Sequence, residues 1–222
     1  MRFSPIRLEA QVALSERPAL VAAAEMLSAS LGAAAGSGPW GVALNFWEPE
    51  AEIAGLDAPD AVILSMVADA ERTDELIEVT SARWRERLAR LAEAGAPILI
   101  CTVLRHVPGR EGLGAPSALL ERILRLNMMA IELSHDLDLQ VVDIDRALAH
   151  IGAHALGTDF RLDGGPAAEV AGHAIAWSLL ALDNIAGWEL EDAARAHLGD
   201  FDHIDDLIAR RHGATAAGAG IG

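Results

Sequence analysis

Short apolar runs that alternate with longer amphipathic patterns are the feature that most constrains the fold of this chain. The four clearest runs are 41–46 (GVALNF), 61–66 (AVILSM), 97–103 (PILICTV) and 139–144 (LQVVDI). Turn residues bound each run, as is typical of strands buried on both faces. Helical periodicity follows Thr73 and Pro116, where apolar residues recur on one face. Because such strands pair in parallel through right-handed crossovers, the sequence predicts an α/β fold with a doubly wound, mostly parallel sheet and helices on both faces.

Each end of the chain adds a segment to this pattern. Residues 6–14 fit either a first strand or the start of a helix, and a helix is predicted over about 18–31. We expect three units: an α/β domain over 1–186, a C-terminal amphipathic helical extension over 187–212, and a disordered Gly/Ala tail over 213–222. The apolar stripe of the extension has to be buried either on its own domain or on a partner. This stripe consists of Phe201, Ile204, Leu207 and Ile208.

Charge and cysteine content exclude several classes of function. The net charge of −16 argues against nucleic acid as a partner, because phosphate binding needs clustered Lys and Arg, and it also argues against an anionic membrane surface. The single cysteine, Cys101, cannot form an intramolecular disulfide, which favours a reducing compartment. Charged residues interrupt the N-terminal segment, and no apolar run reaches the roughly 20 residues that span a bilayer. We therefore expect a cytoplasmic protein that is not inserted in a membrane.

Several stretches resemble successive blocks of the SGNH/GDSL hydrolase family. PDAVILSMVADAE (59–71) is similar to the third block of that family, in which a strand ends in a Gly-x-Asn-Asp loop. EAGAPILICTV and LQVVDIDRAL are similar to its following strands, and DGGPAAEVAGHAIAWSLL (163–180) resembles the closing block, where an Asp-x-x-His pair precedes a terminal helix. The resemblance covers residues 40–182. It implies a three-layer sheet of the SGNH-hydrolase or flavodoxin-like kind.

The resemblance also implies where a nucleophile and its oxyanion donors would lie. The family's nucleophile belongs to a Gly-Asp-Ser turn after the first strand, and the nearest serine here is Ser15, which also fits a helix cap. The Gly of the second block is missing from the turn after the second strand, where Asn45 and Trp47 lie. The Asn of the third block aligns with Asp69, a carboxylate that would repel an oxyanion. These blocks therefore lack most of the residues that give the family its chemistry.

The closing block of the family supplies an acid and a base three residues apart. Here Asp163 is followed at that spacing by Pro166, and Asp159 by Leu162, so the usual imidazole is missing. The best-placed spare imidazole is His106, which follows the third clear apolar run and has Arg105 beside it. His106 is a candidate general base and Arg105 a candidate anion ligand, while a solvated loop is the alternative interpretation.

Ligands of doubly wound sheets bind at the carboxyl ends of the strands. The predicted binding rim therefore consists of Asn45, Trp47, Asp69, Arg105, His106 and Asp159. His150 and His154 have a spacing that suits two metal ligands on one helical face, but Gly152 between them weakens a helix. The Gly-rich stretches lack the spacing and the Lys of a phosphate-binding loop. We predict no metal site and no cofactor.

Two functions are compatible with these residues, and a third class stays open. The first is a catalytically degenerate SGNH-like protein that binds a small polar ligand or a partner protein. The alternative is a serine esterase or acyl-transfer enzyme with a rearranged site, in which Ser15 is the nucleophile, His106 the base, and Asp69 or Asp163 orients that base. The third is a structural subunit of a larger assembly, so an oligomer remains open.

Overall fold

The computed structural model describes residues 4–48, 59–93, 95–107, 117–151, 156–163, 165–182 and 185–199. The strands are β1 (Ile6–Gln11), β2 (Val42–Trp47), β3 (Ala61–Ser65), β4 (Ile98–Cys101) and β5 (Gln140–Val142). The helices before β5 are α1 (Arg17–Ala34), α2 (Val67–Ala70), α3 (Ile77–Ala92) and α4 (Ala118–Leu137). The helices after β5 are α5 (Ile144–Ile151), α6 (Gly165–Leu180) and α7 (Trp188–Leu198).

The five strands form one parallel sheet in the order β2-β1-β3-β4-β5, which confirms the predicted doubly wound α/β fold. The ambiguous segment 6–14 contains a strand, β1, which lies inside the sheet between β2 and β3. The chain winds to one side of β1 to make β2 and then to the other side to make β3. Such a reversal opens a crevice at the carboxyl ends of β1 and β3, where ligands of this class of sheet bind.

Alternate side chains of the strands build two separate apolar cores. On one face, Leu8, Ile63 and Leu99 pack with α1, α5, α6 and α7. On the other face, Leu64 and Ile100 pack with α3 and α4. The sheet is therefore the middle layer of three, and helices cover both of its faces.

Helix α4 buries a different face from the one that its sequence indicates. Its apolar residues spread over an arc wider than one helical face, and the core takes only part of them. The residues that the core takes are Ile123, Leu126, Met129, Ala130 and Leu133. Leu124, Met128 and Ile131 are exposed, although periodicity alone groups them with Ile123. The helix therefore presents an apolar stripe to the outside as well as to the core.

The C-terminal helix α7 packs against α1 and α6, and its Ala194 is fully buried. Residues 200–222, which include the predicted apolar stripe and the Gly/Ala tail, lie outside the described residues. In the part of the chain that the structure describes, we find no helix with both the length and the apolar character needed to cross a bilayer.

Candidate functional site

Glu16 lies in the loop between β1 and α1, beside the crevice at the carboxyl ends of β1 and β3. A 3-10 turn, Leu14–Glu16, precedes the helix, and Glu16 takes the N-cap position of α1. Its Oε2 accepts a hydrogen bond from the backbone N–H of Ala13 at 2.9 Å. The sequence allows either Ser15 or Glu16 as the capping residue of this helix, and the structure places Glu16, not Ser15, at the N-cap. Pro18 lies in the first turn of α1, whose N-cap is one residue after Ser15.

Glu16 also contacts Ser65, the last residue of β3. The Ser65 hydroxyl donates to Oε1 of Glu16 at 2.6 Å, and the backbone N–H of Val67 donates to that hydroxyl oxygen at 3.1 Å. Both side chains are buried, at 3% and 6% exposure. Burial raises the pKa of Glu16 from 4.5 to about 7, although its hydrogen bonds with Ser65 and Ala13 oppose the change. Near neutral pH this carboxyl group can therefore exchange a proton, beside a serine hydroxyl.

Cys101 lies beside Ser65 in the register of β4 on β3. Its thiol is buried, and both desolvation and the charge of Glu16 raise the pKa of Cys101 well above its usual range. The thiolate is the reactive and metal-binding form of cysteine. Cys101 therefore remains a protonated thiol at physiological pH and acts as a small apolar side chain in the core.

Asp69 lies in α2, directly after β3, at the position that the family resemblance assigns to an oxyanion donor. Its two carboxylate oxygens accept from Nη2 of Arg83 at 2.5 Å and from the indole Nε1 of Trp84 at 2.7 Å. Its backbone carbonyl accepts from Nε of Arg122 at 3.2 Å. Asp69 thus connects the end of β3 to α3 and α4, and its side-chain oxygens already have partners on α3.

The other predicted catalytic residues form no hydrogen-bonded set. Ser15 is half-buried in the 3-10 turn after β1, and His106 is half-buried after β4, where its backbone carbonyl accepts from Phe160 N–H at 2.9 Å. Asp163 is exposed and accepts from the Thr158 hydroxyl at 3.4 Å. Among the residues that the structure describes, no hydrogen bond joins Ser15 to His106, or His106 to Asp163. Strand β3 separates β1 from β4, so the ends of those two strands lie about 10 Å apart.

The predicted rim residues Asn45 and Trp47 both bind Glu9, a buried carboxylate on β1. Nδ2 of Asn45 donates to Oε1 of Glu9 at 2.9 Å, and Nε1 of Trp47 donates to Oε2 at 2.5 Å. Glu9 and Asn45 are directly opposite in the register of β1 and β2, and Trp47 is two residues further along. Sequence reasoning missed Glu9, because Arg7, Glu9 and Gln11 alternate with apolar residues in β1, and such alternation predicts a solvent-facing side of a strand and not a buried carboxylate.

The remaining rim residues are paired with neighbours in the same way. Nε of Arg105 lies 2.6 Å from Oδ2 of Asp145, whose other oxygen accepts from the Arg105 backbone N–H at 2.8 Å. Asp159 accepts from Nη1 of Arg161 at 2.9 Å and from the backbone N–H of that residue at 2.8 Å. These contacts hold the loops at the carboxyl end of the sheet in place. They also pair charged groups that would otherwise be available to a ligand.

No group of three or more metal-ligating side chains is present in the described part of the chain. His154, the second member of the predicted histidine pair, lies outside the described residues.

A groove of about 590 Å³ lies between α3 and α4, on the outer surface of the molecule. Its apolar lining includes Ile77, Leu124, Met128 and Met129. Its charged lining consists of Glu78, Arg85, Glu121, Arg125 and Glu132. Sequence reasoning missed this groove because it assigned the exposed stripe of α4 to the core.

No family model, curated protein or solved structure matches this chain. Its function therefore has to follow from its own geometry. Two regions offer a chemical or binding role: the buried pair of Glu16 and Ser65 at the carboxyl end of the sheet, and the open groove between α3 and α4.

Proposed function

We propose that this chain is a catalytically degenerate SGNH-hydrolase-like protein that acts by binding a partner protein. The observation that carries the proposal is the groove between α3 and α4, where apolar side chains of Leu124 and Met128 face the outside. A groove that exposes apolar side chains is a candidate interaction site, because burying those side chains against a partner is favourable. By contrast, the predicted ligand-binding rim has most of its polar groups paired with neighbouring residues.

The hydrogen bonds of Asp69 support the proposal that the site is catalytically degenerate. Acyl transfer needs hydrogen-bond donors aimed at the developing oxyanion. An ionised carboxylate offers only acceptors, and the oxygens of Asp69 already accept from Arg83 and Trp84. Among the described residues, no histidine forms a hydrogen bond with Ser15. No general base in that part of the chain therefore activates Ser15 as a nucleophile.

A rearranged esterase or acyl-transfer enzyme is the second candidate, and one observation favours it. The hydroxyl of Ser65 donates to Glu16, a carboxyl group whose pKa lies near neutrality. A hydroxyl hydrogen-bonded to a base of that pKa is the arrangement that nucleophilic catalysis uses. In this version Ser65 replaces Ser15 as the nucleophile. The substrate would have to reach a hydroxyl that is 6% exposed, which is why we rank this candidate second.

The hydrolysis of p-nitrophenyl acetate and p-nitrophenyl butyrate tests the proposal. Wild-type protein, Ser15→Ala and Ser65→Ala are compared at pH 8, with circular dichroism to establish that each is folded. We expect the three proteins to give the same rate, because neither hydroxyl is a nucleophile. A wild-type rate that falls about 100-fold or more in one of the variants would contradict the proposal and identify the serine that reacts.

A further inference from the structure

We infer that the groove between α3 and α4 binds an amphipathic helix with basic flanks, supplied by a partner protein. The inference rests on the proposed function and deepens it, since it states the chemistry of the partner. Two independent properties of the groove carry it: the arrangement of its apolar side chains and the balance of its charges.

The apolar side chains follow the helical repeat along the outer surface. On α4, Leu124, Met128 and Ile131 lie at positions i, i+4 and i+7 and are 38%, 58% and 43% exposed. On α3, the half-buried Ile77 lines the groove, whereas Leu76 and Val79 are exposed outside its lining. Two helices that present apolar residues side by side form the kind of groove in which the apolar face of a third helix packs. Met128 suits such packing, because it is exposed and the methionine side chain adapts its shape to its neighbour.

The charges that line the groove leave an excess of carboxylates. The two cations of the lining are already paired, Arg85 with Asp136 at 2.5 Å and Arg125 with Glu121 at 2.7 Å. In the part of the chain that the structure describes, Glu78 and Glu132 form no ion pair. An apolar floor with two unpaired carboxylates at its sides is complementary to an apolar stripe flanked by Lys or Arg.

The charge of the whole chain points to the same partner. A net charge of −16 attracts cationic segments and repels a second copy of this chain. The chain's own C-terminal stripe has Asp202, Asp205 and Asp206 between its apolar residues, so its charge does not suit the groove. A basic helix of a different protein therefore complements the charge of the groove better than a second copy of this chain or the chain's own C-terminal segment does.

Binding of a synthetic helix to the full-length chain tests the inference. The probe is a fluorescein-labelled amphipathic peptide of about 14 residues with Leu on one face and Lys on the other, and the matched probe carries Glu in place of Lys. Fluorescence anisotropy measures the affinity of each. We expect the Lys peptide to bind and the Glu peptide to bind at least about tenfold more weakly, because the Glu peptide meets Glu78 and Glu132.

Protein variants distinguish the groove from general attraction to an acidic protein. Met128→Glu adds a negative charge in the groove, and we expect it to weaken binding of the Lys peptide by about tenfold or more, because it removes an apolar contact. Val21→Glu is the matched control, since Val21 is an exposed apolar residue on α1, which packs on the opposite face of the sheet. If both substitutions leave the affinity unchanged or increase it, binding is general electrostatic attraction and the inference is wrong.

The other occupants give different outcomes in the same preparation. A wild-type dimer in size-exclusion chromatography with light scattering that Met128→Glu converts to a monomer would show a second copy in the groove and overturn the inference. An affinity for the Lys peptide that rises in Leu207→Asn, which adds no charge, would show that the chain's own C-terminal segment occupies the groove and would overturn the inference. The proposed function is tested separately, because serine-dependent ester hydrolysis would refute it. A protein that neither hydrolyses the esters nor binds the Lys peptide would refute only this inference.

Discussion

Glu16 lies in an environment very different from that of an exposed glutamate. It is an acid in the core, with one hydrogen bond from the Ser65 hydroxyl and one from a backbone N–H. Those two donors offset only part of the cost of taking a carboxylate out of water, so its pKa rises to about 7. Glu9, by contrast, accepts from the side chains of both Asn45 and Trp47.

The raised pKa of Glu16 predicts a stability that falls with increasing pH. The contribution is fully present below pH 4.5, where the carboxyl group is protonated in both states, and is lost as the pH rises through about 7. The difference between the two pKa values corresponds to on the order of 3 kcal/mol at high pH. We expect Glu16→Gln, which stays neutral, to be more stable than wild type at pH 9 and similar to it at pH 5.

Urea unfolding of the wild type and Glu16→Gln at pH 5, 7 and 9 measures this difference. Subtracting the two free energies of unfolding at each pH removes the contribution of every other titrating group that the substitution leaves unchanged. Glu189→Gln serves as a control, because Glu189 is an exposed acid on α7. A difference between wild type and Glu16→Gln that does not change between pH 5 and pH 9 would refute the raised pKa.

The sequence offers candidate rim residues but does not reveal the residues that they contact. It places Asn45 and Trp47 at the end of β2, yet their contact is Glu9, which is 36 residues from Asn45 in the chain. Likewise Ser65 and Glu16 are 49 residues apart. Such contacts depend on the order and register of the strands, which local periodicity does not contain. The alternation of strands and helices predicts a parallel sheet, but β1 becomes the neighbour of both β2 and β3 only in the folded chain.

At the scale of elements, the close crossing of α1 and α6 explains the Gly of the AGHAIA stretch. A Cβ at Gly172 would lie 2.8 Å from the carbonyl oxygen of Ala19 and 2.8 Å from Cβ of Ala22. Both distances are well below van der Waals contact, and the nearest neighbours are backbone or a short side chain that cannot move away. Glycine at this position therefore allows the two helices to approach closely on one face of the sheet.

This crossing predicts that Gly172→Ala destabilises the protein. Alanine favours a helix over glycine, but overpacking of a tight contact typically costs about 1–3 kcal/mol and outweighs that preference. Gly165→Ala is the matched control, because a Cβ there has no atom within 4 Å, and we expect little or no loss. Thermal unfolding compares the two variants with the wild type. A Gly172→Ala variant as stable as Gly165→Ala would show that α1 and α6 are further apart.

The elements were largely predictable from sequence, with one informative error. The four apolar runs all contain strands. Strands β3 and β4 are buried throughout and leave the continuous apolar signal of residues buried on both faces, whereas the edge strands β2 and β5 are partly exposed. The face of α4 was not predictable, since its apolar residues cover more than one side of the helix. Only the packing of α4 against β3, β4 and α3 decides that Ile123 is buried and Met128 is exposed.

At the scale of the whole molecule, the carboxyl end of the sheet and the groove between α3 and α4 lie in different places. The carboxyl end of the sheet, where proteins of this architecture bind their ligands, has its charged groups paired and its Glu16–Ser65 contact buried. The outer layer formed by α3 and α4 is open, apolar and bordered by unpaired carboxylates among the described residues. We therefore propose that the helical surface carries the function and that the sheet supports it.

Labelling of the purified full-length protein with a fluorophosphonate, followed by mass spectrometry of the intact chain, tests this account most directly. The probe reacts covalently with activated serine nucleophiles and needs no knowledge of the substrate. We expect folded wild-type protein to gain no adduct. An adduct that disappears in Ser15→Ala or in Ser65→Ala would contradict the account, and would establish a rearranged hydrolase with that serine as its nucleophile.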